Sequence, residues 1–275
     1  MTVRHKWDHL TELLRDMERA IIAFSGGVDS SLLLAAAAEV LGSNLIAVTA
    51  DSDTYPSGEL ADAREFARSL GVRHHVLHTD ELSSEQFTSN PPDRCYFCKK
   101  ELYGRLKFLA DREAISWILD GSNVDDLRDY RPGSRAASEF GVRSPLREAG
   151  FSKQEVRDCA RMLNLPVWDK PSLACLSSRI PYGTRITRAV LNMVQQAEDR
   201  LRVLGLNQVR VRHHGDMARI EIDRNDFNKL LTDGVSERIT ADLKMIGYTY
   251  VCLDLEGYRT GSMNESLLKT RTEKK

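Results

Sequence analysis

The stretch Ala23-Phe24-Ser25-Gly26-Gly27-Val28-Asp29-Ser30-Ser31 lies between two apolar runs, Ala20 to Phe24 and Leu32 to Leu41. This order predicts a strand, a glycine turn and a helix. Adjacent glycines let the backbone approach a ligand closely and adopt positive φ without strain, and the first N–H groups of a helix have no partner inside it. The serine hydroxyls add further hydrogen-bonding groups. We therefore expect an anion-binding loop at a helix N-terminus.

Two common nucleotide-binding motifs do not describe this loop, since it has neither the Gly-x-x-x-x-Gly-Lys-Ser/Thr nor the Gly-x-Gly-x-x-Gly spacing. It resembles instead the SGGxDS loop of the ATP pyrophosphatases, or PP-loop enzymes, which hold the pyrophosphate of ATP while they adenylate a substrate. The resemblance implies that Asp29 helps to hold Mg²⁺ and phosphate and that Ser25, Gly26, Gly27 and Ser30 bind ATP. The alternative is an ordinary glycine-rich turn without a ligand.

Length and charge point to a small-molecule enzyme of two domains. The chain has 275 residues, and 39 Lys and Arg against 40 Asp and Glu leave a formal net charge of −1. This balance gives no sign of a nucleic-acid surface or a polybasic membrane anchor. No apolar run approaches the length of a membrane span or a signal peptide, so we expect a cytoplasmic protein. The five cysteines are too few for a disulfide framework and suggest metal binding or catalysis.

Further apolar runs alternate with helical patterns and predict a doubly wound parallel sheet of the α/β class. The predicted strands are 45–50, 72–77 and 115–119. Strand ends of such sheets line the ligand crevice. In PP-loop enzymes the second strand end contacts adenosine, which implies roles for Ala50 and Ser52. The third strand end, Asp120 to Asp126, places Gly121 among groups that can meet a metal or ribose.

The second half of the chain shows a different pattern of predicted helices and strands. A capping box at Ser152 starts one helix and Thr187 caps another, which ends near Leu204. Alternating strands at 209–212 and 218–222 flank a hairpin turn at Gly215-Asp216, and two helices and a strand at 248–255 follow. We predict a PP-loop domain over 1–183, a smaller α+β domain with its own antiparallel sheet over 184–264, and a charged tail over 265–275.

Three of the cysteines stand out by position. Cys95 and Cys98 open a predicted helix, whose dipole lowers thiol pKa values and favours metal binding. Cys175 lies in a polar segment, whereas Cys159 and Cys252 fall in apolar periodic segments and are predicted to be core thiols.

Two metal sites are compatible with three such cysteines. Structural zinc needs a fourth ligand, for which His213 or His214 is available. A [4Fe–4S] cluster held by three thiolates leaves one iron open, where hydrosulfide could bind and be delivered to an activated substrate. A different class of protein, a non-catalytic adenine-nucleotide sensor, would explain the loop but leave these cysteines without a role.

Several motifs together make the sequence similar to the LarE family. These are SGGVDS, Arg94-Cys95-Tyr96-Phe97-Cys98-Lys99-Lys100, Asp129-Tyr130-Arg131-Pro132-Gly133, Cys175-Leu176-Ser177-Ser178-Arg179-Ile180-Pro181-Tyr182-Gly183 and Val209-Arg210-Val211-Arg212. The resemblance implies an ATP-dependent sulfur transferase that makes the nickel-pincer nucleotide cofactor. Its substrate is a pyridinium dicarboxylate mononucleotide whose carboxylates become thiocarboxylates. It also implies a homo-oligomer, a hexamer.

The family offers two sulfur sources. Some members sacrifice the sulfur of one cysteine at the position of Cys175, and others carry three cysteines and resemble cluster-dependent enzymes. Because this sequence also has Cys95 and Cys98, we expect a [4Fe–4S] cluster fed by a sulfide donor. The nearest rival is a cluster-dependent tRNA thiolase, which should show a basic face or zinc-ribbon cysteines.

Site roles follow from the same motifs. Arginine forks match phosphate oxygens, so Ser178, Arg179 and Arg210 are expected to hold the substrate phosphate. Cys175, Asp29, Arg210 and Asp226 are the expected catalytic residues. The resemblance also brings Glu198, Glu221 and Asp226 to the edge of the second domain, around substrate or metal, although each could equally be a surface charge.

Overall fold

The computed structural model describes residues 2–128, 132–171 and 174–264. The predicted substrate loop around 129–131 and the predicted tail 265–275 lie outside these residues. Among the described residues the strands are β1 (Ala20–Ala23), β2 (Leu45–Asp51), β3 (Arg73–His78), β4 (Trp117–Leu119), β5 (Val209–His214), β6 (Met217–Ile222) and β7 (Tyr250–Leu253).

The helices of the same residues are, in chain order, α1 (Val3–Arg15), α2 (Val28–Leu41), α3 (Glu59–Ser69), α4 (Glu85–Thr88), α5 (Arg94–Arg112), α6 (Gly133–Glu139), α7 (Pro145–Glu148), α8 (Lys153–Met162), α9 (Arg188–Arg202), α10 (Phe227–Leu230) and α11 (Val235–Ile246). A 3₁₀ turn at Leu176–Arg179 follows Cys175. Within the described residues, no helix is long and apolar enough to cross a membrane.

The chain forms two compact units. The first contains residues 2–52, 57–81 and 93–171, and the second contains 53–56, 82–92 and 174–264. The predicted domain boundary after residue 183 stays a prediction, because compactness does not show which segment folds alone.

The first unit is built on a parallel sheet with the strand order β3-β2-β1-β4. Parallel neighbours require crossover connections, which here run through helices, and strands covered on both faces are apolar throughout. Alternate residues of β1 supply opposite faces: Ile22 packs in a core with α1, α2 and α8, whereas Ile21 packs in a core with α5 and α6. The predicted doubly wound α/β class is confirmed.

The second unit has a smaller sheet with the order β5-β6-β7. The hairpin prediction is confirmed, because β5 and β6 pair antiparallel. The prediction of a wholly antiparallel sheet is wrong, since β7 pairs parallel to β6. The helix α11 between them carries the chain back across the sheet, so the last strand runs in the direction of β6.

Local helix signals are also found where expected. Ser152 and Glu155 form the predicted capping box at the start of α8. Thr187 caps α9 by accepting a hydrogen bond from the backbone N–H of Val190. Cys159 is buried as predicted, but the prediction for Cys252 is wrong. Cys252 is exposed because it lies on β7 at the sheet edge, between two residues that pack toward the core.

Candidate active site

The glycine loop joins β1 to α2 as the sequence predicts. Gly26 has a φ of +73°, a left-handed conformation that favours glycine. Gly27 is extended and precedes the first turn of α2, so it is the N-cap of this helix. Orphan N–H groups at a helix start favour anions, and this geometry is suited to phosphate.

The loop serines are connected to one another. Ser25 and Ser30 share a hydrogen bond of 3.1 Å between their hydroxyls, and the Ser30 hydroxyl donates to the carbonyl of Gly27 at 3.1 Å. The Ser31 hydroxyl is fully buried and has no hydrogen-bond partner among the described residues. The loop is therefore pre-shaped by its own side chains.

Asp29 has two partners that sequence reasoning missed as functional residues. Its carboxylate accepts a hydrogen bond from the Asn123 amide at 2.9 Å and forms an ion pair with Lys153. Lys153 is the first residue of α8, and its backbone N–H donates to Asp125 at 2.7 Å. The capping box locates Lys153 at a helix start in the sequence, but nothing there reveals its partner 124 residues away.

Gly121 lies against the backbone of α2. A Cβ atom at this position would stand 2.8 Å from the Ser30 nitrogen and 2.9 Å from the Ser30 Cα. Gly121 is thus required for close packing of the β4 end on the loop, and its expected contact with the nucleotide stays a prediction.

The end of β2 leads to a buried carboxylate. Ala50 is half-buried, and the Ser52 hydroxyl donates to Glu81 at 2.6 Å. Glu81 is 2% exposed and also accepts from Thr79 at 3.1 Å and from the Cys98 thiol at 3.5 Å. Sequence reasoning missed Glu81, because a single glutamate after a strand carries no local signal of burial.

The cysteines of interest belong to different units. Cys95 and Cys98 lie near the start of α5, one exposed and the other half-buried. Cys175 is half-buried and immediately precedes the 3₁₀ turn of the second unit. Throughout 2–128, 132–171 and 174–264, no group of three or more His, Cys, Asp or Glu side chains is arranged to hold a metal ion.

A buried network of arginines and glutamates occupies the second unit. Arg179 and Glu198 form a bidentate ion pair, with Nε to Oε1 at 2.7 Å and Nη2 to Oε2 at 3.0 Å. Both side chains are at most 1% exposed. Arg212 pairs with the equally buried Glu221 at 2.6 Å. Breaking such a buried pair by removing one partner typically costs about 3–5 kcal/mol.

The charges of this network shift its pKa values. Burial and, after it, the nearby positive charges of Arg179 and Arg212 together lower the pKa of Arg210 to about 10, against the opposing pull of Glu198. Burial alone would raise the pKa of Glu198, but Arg179 and the other arginines hold it below its ordinary value. The region around Arg210 is thus rich in positive charge, which favours an anionic ligand.

Two donors near this region fit such a ligand. The Arg212 Nε and the Ser177 hydroxyl are buried without a hydrogen-bond partner in the part of the chain that the structure describes. Buried donors without partners are costly, and an anion would satisfy them. Arg210 itself is 4% exposed, and its guanidinium lies 5.4 Å from the ring centroid of Tyr258.

The three carboxylates expected to bind a metal already have hydrogen-bond or ion-pair partners within the protein. Glu198 also accepts from the Val211 N–H at 3.1 Å, and Glu221 also accepts from Arg219 at 3.0 Å. Asp226 forms an ion pair with Lys229 at 2.7 Å. The expected metal role of these three acids stays a prediction.

The histidines offered for the zinc alternative lie on β5. His213 is buried, its Nδ1 is 3.3 Å from the Tyr248 hydroxyl, and burial lowers its pKa. Burial likewise lowers the pKa of His214. The burial of His213 is therefore explained by its place in the core of the second unit.

The sequence of the chain is similar to those of several known proteins. The family model described as asparagine synthase matches residues 11–104, which include the glycine loop. The chain is 41% identical over 271 residues to the pyridinium-3,5-bisthiocarboxylic acid mononucleotide synthase of Lactiplantibacillus plantarum, with 98% of both chains covered. It is 46% identical over 264 residues to an uncharacterised Synechocystis protein, covering 96% of this chain and 98% of the other. An uncharacterised protein of Methanocaldococcus jannaschii is 30% identical over 243 residues, covering 88% of this chain and 92% of the relative.

Proposed function

The chain belongs to the LarE family of PP-loop enzymes, and from this membership we propose that it converts pyridinium-3,5-biscarboxylic acid mononucleotide to a thiocarboxylate at the expense of ATP. It is a transferase with an ATP-binding PP-loop domain. The observation that carries the proposal is the loop of residues 25–30, in which a helix N-terminus, a left-handed glycine and linked serines form a cradle suited to pyrophosphate.

The proposed reaction has two steps. A carboxylate oxygen of the mononucleotide attacks the α-phosphorus of ATP, the bond from that phosphorus to the bridging oxygen breaks, and pyrophosphate leaves. Hydrosulfide then attacks the acyl carbon, the bond from that carbon to the AMP oxygen breaks, AMP leaves, and the new thiocarboxylic acid loses its proton to give the thiocarboxylate. Activation is needed because a carboxylate is a poor electrophile. The loop N–H groups stabilise the negative charge that develops on pyrophosphate.

Residues at the loop fit a magnesium ion. The Asp29 carboxylate is 23% exposed, and Mg²⁺ in nucleotide sites is commonly bound by one or two carboxylates together with substrate phosphates. When bound, the ion would neutralise charge on the departing pyrophosphate. Lys153 holds a positive charge beside the same carboxylate in the structure.

The substrate phosphate is assigned to the arginine-rich region of the second unit. Arg212 is near enough to Arg210 to lower its pKa, and the unpartnered Nε of Arg212 can donate to an oxygen anion. Ser178 lies beside the same guanidinium, because its carbonyl accepts from Arg212 at 3.1 Å. Support for this assignment comes from charge and unsatisfied donors together.

A [4Fe–4S] cluster remains part of the proposal for the sulfur source. Cys95 and Cys98 stand one helical turn apart, which fits two thiolate ligands, and Cys175 would be the third. The adenylation described above does not depend on the cluster. We also propose that the protein is a homo-oligomer, that it takes sulfide from a separate donor, and that its PP-loop domain ends at residue 183.

The experiment is anaerobic incubation of the protein with ATP, Mg²⁺ and the mononucleotide, with pyrophosphate release and thiocarboxylate formation measured together. Asp29→Ala should lower pyrophosphate release by about 100-fold or more, since it removes a charged group of the phosphate site. Glu39→Ala is the matched control, because Glu39 is exposed on the same helix. Wild-type turnover in Asp29→Ala would refute the loop assignment.

Specificity is tested with Arg210→Ala. Calorimetry should show weaker binding of the mononucleotide, by about 10-fold or more, with ATP affinity nearly unchanged. If instead the wild-type protein binds tRNA tightly at physiological salt and does not bind the mononucleotide, the thiolase alternative is correct.

A further inference from the structure

Arg179 directs its donors to partners within the second unit. Its Nη1 donates to the carbonyl of Ala174 at 2.5 Å, to the carbonyl of Cys175 at 2.9 Å and to the Ser178 hydroxyl at 3.0 Å. The Nε and Nη2 groups are bonded to Glu198, and the residue is fully buried. Because all three nitrogen atoms of its guanidinium already have partners, Arg179 is poorly suited to bind a substrate phosphate.

Glu198 connects the Arg179 guanidinium to the framework of the second unit. It lies on α9, and its Oε1 also accepts from the backbone N–H of Val211 on β5. Its Oε2 accepts from Arg202 at 2.7 Å. Desolvation makes buried ion pairs weak sources of stability, so a role in fixing geometry explains the pair better than a role in holding the fold.

The segment that Arg179 contacts carries Cys175. The Cys175 carbonyl also accepts from the Ser178 N–H at 2.9 Å, and the Leu176 N–H donates to the Thr54 carbonyl at 2.7 Å. The backbone around Cys175 is therefore fixed at several points, while the residue itself is only half-buried. A thiol on a fixed backbone is held in few positions.

We propose that Arg179 is a positioning residue, which together with Glu198 clamps the carbonyls of Ala174 and Cys175 and so holds the Cys175 thiol for sulfur transfer. The proposal rests on the proposed function for its catalytic consequence, and it replaces the expected phosphate role of Arg179. Misplacement of a reacting group by about 1 Å can lower a rate by about 100-fold, so a clamp of this kind matters for turnover.

The test uses Arg179→Lys, which keeps the charge opposite Glu198 but cannot reach the carboxylate and both carbonyls together. Hydrogen exchange is measured by mass spectrometry on peptides that cover residues 174–180. We expect exchange at the amides of Leu176 and Ser178 to become at least about 10-fold faster, with little change in exchange of the β5 amides. Arg202→Gln is the matched control, because Arg202 contacts Glu198 without contacting the Cys175 segment, and its exchange should match the wild type.

Kinetics separate positioning from phosphate binding. For Arg179→Lys we expect kcat of sulfur transfer to fall by about 100-fold, with the KM values of ATP and of the mononucleotide within about twofold of wild type. A raised KM for the mononucleotide with unchanged kcat and unchanged exchange would overturn the proposal in favour of a phosphate ligand.

Failure of the clamp and failure of the proposed function can be told apart. If the wild-type protein does not convert the mononucleotide, the function is wrong, yet the exchange result still decides whether Arg179 holds the segment. If Arg179→Lys does not fold, Glu198→Gln carries the same measurement, since it weakens the anchor and retains the guanidinium. Wild-type exchange at residues 174–180 in the folded variant overturns the proposal.

Discussion

At the glycine loop, single residues determine how closely neighbouring segments approach the start of α2. Gly121 packs against the Ser30 backbone, and Asp29 is held between Asn123 and Lys153. The first arrangement is steric, since any side chain would collide with backbone atoms that cannot move away cheaply. The second is electrostatic and sets the position of the carboxylate that would meet a cation and phosphate. Both contacts act on the first turn of α2.

Gly121→Ala is predicted to disturb the loop. The added Cβ would lie 2.8 Å from the Ser30 nitrogen, so the β4 end and α2 must separate. We expect a loss of about 1–3 kcal/mol in the free energy of unfolding, and weaker ATP binding. Chemical denaturation and calorimetry with ATP measure the two effects.

Gly104→Ala is the control for this change. Gly104 lies inside α5, where the nearest atom to an added Cβ is a Phe140 ring carbon at 3.7 Å. Alanine is the better helix former, so this variant should be more stable by about 0.5–1 kcal/mol. Normal stability and ATP affinity in Gly121→Ala would show that Gly121 does not pack tightly against the Ser30 backbone.

At the scale of elements, the start of α8 has two kinds of contact. One is its own capping box, and the other comes from the distant helix α1. Ser152 and Glu155 form the capping box, and Lys6 of α1 donates to both oxygens of Glu155 at 2.7 Å. The same turn presents Lys153 to Asp29. The capping box therefore fixes the helix start from which a charged residue reaches the glycine loop.

The pH dependence of stability should report on this helix start. The hydrogen bond from Lys6, followed by that from the Ser152 backbone, lowers the pKa of Glu155 to about 2 from an ordinary value of 4.5. A lowered pKa in the folded state contributes stability that is complete above the unfolded pKa and is lost as the pH falls. Wild-type stability should therefore decline between about pH 4.5 and pH 2 through this group.

Glu155→Gln should flatten that decline, because glutamine does not titrate. Thermal unfolding measured across this pH window makes the comparison. Asp158→Asn is the control, since Asp158 is exposed on the same helix and accepts from the neutral amide of Gln154. An equally steep decline in Glu155→Gln would mean that other carboxylates dominate.

At the scale of the molecule, the chain divides its chemistry between two units that each have a core. The first carries the glycine loop, Cys95 and Cys98, and the second carries Cys175 and the arginine network. The core of the second unit is formed by α9, the three-stranded sheet and α11.

Single Cys→Ala changes at positions 95, 98 and 175 are predicted to lose iron and sulfur transfer together. A cluster with three protein thiolates loses a required ligand in each case. Iron and sulfide analysis of anaerobically purified protein, together with thiocarboxylate formation, measures this. Cys252→Ala should retain both, because Cys252 is exposed at the sheet edge, and so should the buried Cys159→Ala.

Mass spectrometry of Cys175 tests the alternative, in which this cysteine is the sulfur source. If no iron copurifies and Cys175 loses the mass of about one sulfur per product, with formation of dehydroalanine, the sacrificial route is correct. In that case Cys95→Ala and Cys98→Ala should leave transfer intact.

The sequence by itself determined the local features of this protein. The SGGVDS loop, the alternation of strands and helices, the Ser152 capping box and the 209–222 hairpin were predictable because each signal lies within a few residues of the structure it produces. Family resemblance, carried by the same motifs, determined the expected chemistry. These signals also located the cysteine pair at a helix start.

Only the tertiary structure decided which polar groups meet. Burial of Glu81, the pairing of Lys153 with Asp29, the enclosure of Arg179 by Glu198 and the exposure of Cys252 all depend on residues far apart in the chain. The direction of β7 was likewise decided by how α11 packs. A buried charge takes whichever partner the packing of the elements provides, and that choice is not encoded in the residues around it.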